Sequence, residues 1–159
     1  MRKTIIIPAV NNIPVSDLNF LDLEQLAQVE FTSECQLHPV ESALLLTADS
    51  GAGWQAAIAG EQTLRVVFDQ PRTIKHIFLL FDEQEHSRTQ EFVLLWLMDK
   101  DNAYREILRQ QFHFSPPNTT QEIEHYEVNL EQIKALELRI IPDISGGDAC
   151  AKLKQLRLA

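Results

Sequence analysis

From Thr63 onward the chain is a succession of short apolar runs of strand length, each closed by turn residues. That spacing confines it to an all-β sandwich or barrel. In "TLRVVFD" the side chains of Leu64, Val66 and Phe68 share one face, and Asp69-Gln70-Pro71 closes the run. "TIKHIFLLFDE" sets Ile77, Leu79 and Phe81 on one side and Phe78 and Leu80 on the other, because successive strand residues alternate between faces. "QEFVLLWLMD" is apolar on both: Phe92, Leu94, Trp96 and Met98 oppose Val93, Leu95 and Leu97. A strand of that kind is buried on both faces. It is expected to lie centrally, its outer side covered by a loop or by the N-terminal segment.

"YREILRQQFHF" admits a helix through Ile107, Leu108 and Phe112. The alternation of Tyr104, Glu106, Leu108, Gln110, Phe112 and Phe114, preceded by the turn "DKDNA", favours a strand. Pro116-Pro117-Asn118 breaks the chain, and "IEHYEVNL" resumes alternation with Tyr126, Val128 and Leu130. "LEQIKA" reads as a single helical turn before the strand "LELRIIPD". Gly146-Gly147 supplies a flexible loop before the closing strand "AKLKQLRLA". Only "DLNFLDLEQLAQ" reads as a helix, with Leu18, Phe20, Leu21 and Leu26 as its apolar side and Asp17 or Asp22 near its start.

At 159 residues the chain reads as one domain, residues 1–30 forming an N-terminal segment with the short helix and 31–159 the sandwich. A chain of this size buries roughly 70% of its unfolded surface, so its core needs no metal or disulfide to support it. The net charge of −9 argues against nucleic acid and against anionic membrane, since both attract Lys and Arg. The opening "MRKTIIIPAVNNIPV" carries only Ile5-Ile6-Ile7 before Pro8, too short for a signal peptide core or a bilayer span, and a cytoplasmic location is expected. Cys35 and Cys150 match no metal spacing and read as buried free thiols; a bond between them requires the first and last strands to be neighbours.

One stretch carries a family pattern. Gly53-Trp54, a strand ending in Phe68-Asp69, a turn at Pro71 and then Ile74, Ile77, Leu79 and Phe81 together resemble the discoidin, or coagulation-factor C-type, branch of the galactose-binding-like β-sandwiches. The long strand after Arg88, the Asp-x-Asp-Asn turn at 99–102, "FHFSP", "ALELRIIPD" and the closing "LKQLRL" follow the same plan, from about Phe31 to Ala159. The resemblance implies an antiparallel jelly-roll β-sandwich of roughly eight strands. It selects no single function, because secreted lectins, bacterial carbohydrate-binding modules, lipid-binding clotting domains and intracellular scaffolds share the fold.

Two functions follow as expectations: a non-catalytic module binding a carbohydrate or another polar small molecule through its end loops, or a protein-interaction adaptor on the same fold. Trp54 is a candidate stacking platform, although the Trp of this pattern typically plugs the sandwich. Arg88 and Gln90 point to one side of their strand, where they either hold a ligand's hydroxyls or carboxylate, or form a collar in which Arg88 pairs with Asp82, Glu83 or Glu85. His86 sits beside them, and Arg109 joins them in a shared groove if its face adjoins the Arg88 end. "TADSGAGW", with Asp49 and Ser50, offers oxygens to a structural calcium ion but lacks the ordered carboxylates of a strong site, so an Asx-type turn competes with it; Asp143 and Asp148 flank a similar loop. No nucleophile elbow, zinc-protease helix motif, phosphate loop or dinucleotide fingerprint is present, and no cofactor is expected.

Overall fold

The computed structural model describes residues 18–46, 51 and 53–159. Its elements run α1 (Leu23–Leu26), β1 (Ala27–Phe31), α2 (Glu41–Leu44), β2 (Trp54–Gln55), β3 (Gln62–Asp82), β4 (Arg88–Met98), β5 (Arg105–Phe114), β6 (Gln121–Ile141), β7 (Lys152–Leu153) and β8 (Gln155–Leu158). All pairings are antiparallel.

Two strands of 21 residues, β3 and β6, organise the sandwich. Their first and last halves pair as Gln62↔Ile140 through Val67↔Ala135, and this portion joins the layer β1-β3-β6-β4-β5. The register then shifts between Val67 and His76, and pairing resumes from His76↔Glu127 to Asp82↔Gln121. There β8 lies along β3, with Ile77 opposite Leu158, completing a second layer β8-β3-β6. Pro71 falls at the irregularity, where a residue without an N–H costs no ladder bond. The sequence places a break there between two strands; the molecule bends one strand through it.

The dry interior lies between the layers. Ile77, Leu79 and Phe81 point inward from β3 as their alternation predicts, and meet Phe92 and Leu94 of β4, all with 1% or less of their surface exposed. β4 is central, between β6 and β5, and its outward Val93 and Leu95 are nearly buried as well. Trp54 closes the interior, with no exposed surface and its indole Nε1 donating to the Ser33 carbonyl at 3.1 Å.

Three local expectations are corrected. The helix expected over residues 17–28 shrinks to Leu23–Leu26, and Ala27–Phe31 continues as edge strand β1. A lone helix of about twelve residues is marginal in water, and the extended chain gains a full ladder against β3 instead. "LEQIKA" is no helical turn but the middle of β6, where Gln132 adopts φ 55° and the register against β4 slips between Leu97 and Met98. The closing run divides into β7, which pairs with β2, and β8, which pairs with β3. Cys35 and Cys150 are free, each half-buried. Among the described residues no helix is long and apolar enough to cross a membrane.

Candidate functional site

A concave cleft of about 470 Å³ opens where the β3–β4 hairpin, the loop between β6 and β7 and the end of β2 converge. The hairpin contributes Glu83 and His86, the loop contributes Asp143, Gly146-Gly147 and Asp148, and β7 contributes Lys152. Asp143 shapes its own loop by accepting from the Ser145 N–H at 3.0 Å and the Ser145 hydroxyl at 2.6 Å, and those bonds hold its carboxyl below the usual range. This is the Asx-type turn expected of it. Gly146 and Gly147 have φ of 86° and 91°, which leaves the loop backbone bare toward the cleft.

Glu83 is the hub of the floor. Arg88 Nε donates to its Oε1 at 2.8 Å, while Lys152 Nζ at 3.3 Å and the Glu85 N–H at 3.2 Å donate to Oε2. Burial alone raises this carboxyl's pKa, but the Arg88 bond and the other donors outweigh it and hold the group low. Lys152 is tied to Glu83 across a sequence separation of 69 residues through a strand only two residues long. No periodicity in the sequence announces it.

From this floor a polar chain runs inward. Arg88 Nη1 donates to the Pro142 carbonyl at 2.7 Å and to Gln90 Oε1 at 3.2 Å, and the guanidinium lies over the Phe114 ring, 4.8 Å from its centroid. Gln90 Nε2 donates in turn to Glu122 Oε2 at 3.3 Å. Among the described residues Arg88 Nη2 has no hydrogen-bond partner.

The residues singled out in the sequence thus separate. Arg88 lines the cleft floor, paired with one of the three carboxylates proposed for it, and His86 stands on the rim with 73% of its side chain exposed. Gln90 shares the inward face with Arg88 as expected, but is wholly buried and supports Arg88 from behind. Trp54 is also wholly buried, so neither face of its ring is free to stack on a ligand. Arg109 does not join Arg88: it lies opposite Val93 on the outward face, paired with Glu91 at 3.1 Å and Glu106 at 2.9 Å. Asp49 and Ser50, the centre of the calcium reading, lie outside the described residues.

No protein-family model matches the sequence, and no curated protein matches it. Solved structures do match in shape. The family 32 carbohydrate-binding module of Clostridium perfringens NanJ, solved with galactose, aligns over 87% of this chain and 96% of its own, with a TM-score of 0.63 and 12% identity. A pectin-binding carbohydrate-binding module aligns over 84% and 90%, with a TM-score of 0.59 and 15% identity. A chain from the complex of reduced XRCC1 with the DNA polymerase β catalytic domain aligns over 84% and 95%, also at 0.59 and 15%. The chain therefore shares the β-sandwich fold of these structures, as the Gly-Trp and Phe-Asp-x-Pro pattern leads one to expect.

Proposed function

We propose that the end-loop cleft binds carbohydrate without catalysis. The observation that carries this reading is the lining: donors from Lys152 and His86 face acceptors from Asp143 and Asp148 around a space of about 470 Å³. Neighbouring sugar hydroxyls need such alternation, each accepting one hydrogen bond and donating another. The volume lies within the range of small-ligand sites. The likeness to modules solved with galactose or described as pectin-binding supports the same reading.

Four carboxylates, Glu83, Glu85, Asp143 and Asp148, stand against two cations, Arg88 and Lys152, so the site suits a neutral sugar better than an acidic one. Among the described residues His86 is the one ring in the lining. Affinity then rests on hydrogen bonds exchanged with water, which places it at the weak end for a sugar site. In this arrangement Arg88 positions Glu83 and the Pro142 carbonyl, and Lys152, His86 and the loop carboxylates touch the ligand.

The test is a titration of isotopically labelled protein with galactose, N-acetylgalactosamine and neutral disaccharides. Saturable amide shifts confined to Ser87, Gly146, Gly147 and their neighbours support the proposal. The absence of any saturable shift, or shifts that map to another surface, overturns it. A protein-interaction role is the second reading, and the alignment with a chain of the XRCC1 complex favours it. Under that reading the cleft stays silent to every sugar.

A further inference from the structure

We propose that His76, His125 and Glu127, none of which lines the cleft, form a binding site for a divalent transition metal of the zinc class on the outer face of the three-stranded layer. His76 and Glu127 are directly paired across β3 and β6, and His125 lies two residues before Glu127 on the same face of β6. His76 Nδ1 and His125 Nε2 are 3.0 Å apart, and one ligating atom from each of the three residues lies within 4.8 Å of the others. Around a tetrahedral zinc ion with bonds of about 2.0–2.1 Å, ligand atoms stand about 3.3 Å apart. The two imidazoles need to part by only a few tenths of an ångström to admit the ion.

The surroundings hold the ligands in place. The His76 N–H donates to the Ala159 carbonyl at 2.8 Å, and its own carbonyl accepts from the Ala159 N–H at 3.0 Å, fixing the backbone from which the ring projects. The His125 ring stacks on Phe78 with centroids 4.0 Å apart, and Phe20 meets Phe78 edge-on at 5.3 Å. An imidazole pinned this way loses little freedom on taking a ligand.

The donor set selects the metal. Two ring nitrogens and one carboxylate suit zinc, nickel or copper(II), whereas magnesium and calcium require a shell of oxygens. Three protein ligands leave a tetrahedral ion one position open to water or another donor.

The experiment is calorimetric titration of the full chain with zinc sulfate, in parallel with cobalt(II) absorption. The unsubstituted protein should bind one equivalent, and cobalt should give the intense visible bands of a four-coordinate ion. His125→Ala should abolish these bands and weaken zinc binding by about tenfold or more, since loss of even an outer-sphere partner costs that much. Glu127→Gln, at an exposed position that the fold does not need, should weaken binding in the same sense. Zinc binding of unchanged affinity in both variants assigns the metal to other groups and overturns the proposal, as does the absence of binding to the unsubstituted protein. Neither outcome bears on the sugar reading.

Discussion

Arg88 Nε stands 2.8 Å from Glu83 Oε1, with only 1% and 2% of the two side chains exposed, so this ion pair lies inside the sandwich at the foot of its cleft. Charges in that position cost several kcal/mol each to desolvate, and the pair is maintained because every remaining atom but one is bonded.

Breaking the pair takes from a buried charge its nearest opposite charge. Arg88→Met or Glu83→Gln alone should destabilise the fold by about 3–5 kcal/mol. The double variant should recover part of that loss. Chemical denaturation of the four proteins measures the coupling, and strictly additive losses would show that the two groups are independent.

The interior end of the same polar chain sets a pH dependence. Burial first, and then the charge and hydrogen bond of Glu124, push the Glu122 pKa from 4.5 up to about 8. Between these values the unfolded chain has released the proton while the folded protein retains it. The Glu122 contribution to stability is therefore greatest below pH 4.5, falls as pH rises, and is exhausted above about 8. The span amounts to a few kcal/mol, at about 1.4 kcal/mol for each pH unit. Glu122→Gln should flatten that decline, and urea denaturation at pH 5, 7 and 9 reads the difference directly.

Gly53 admits no side chain. Its φ is 74°, and a Cβ there would stand 2.4 Å from the Leu153 carbonyl oxygen and 2.6 Å from the Lys154 Cα, both backbone atoms. Gly53→Ala should push β2 from β7 and loosen Trp54 beside it, costing about 2 kcal/mol or more. Thermal denaturation should register a lower Tm, accompanied by a more exposed tryptophan fluorescence spectrum.

One rim substitution should separate binding from folding. His86→Ala should leave the Tm within a few degrees of its original value, since exposed side chains contribute little to stability, whereas Lys152→Ala, which takes one donor from the buried Glu83, should lower it. Under the carbohydrate reading each should reduce sugar affinity about tenfold, the loss of roughly one hydrogen bond. Amide titrations of the two variants compare affinity and fold in one measurement.

Strand character and facing were legible in the sequence wherever alternation ran long. Ile77, Leu79 and Phe81 point inward, and Arg88 and Gln90 share a face as the period of two requires. The expectation failed where spacing was ambiguous: Leu18, Leu21 and Leu26 fit a helical stripe, yet only Leu23–Leu26 is helical, and from Ala27 the chain supplies β1 to a long neighbour. The site was less legible than the fold. Lys152 meets Glu83 only because a two-residue strand docks on β2, and Arg109 is parted from Arg88 by the register of β5 against β4. Pairings between distant segments leave no local pattern from which to infer them.

Because β3 and β6 each run through both layers, the sandwich has no seam along which one sheet can peel from the other. Force or denaturant that frees His76 through Asp82 from Gln121 through Glu127 also drags on the ladder from Gln62 to Val67. Loss of structure should proceed as a single concerted rupture, with no half-molecule surviving to be trapped along the way.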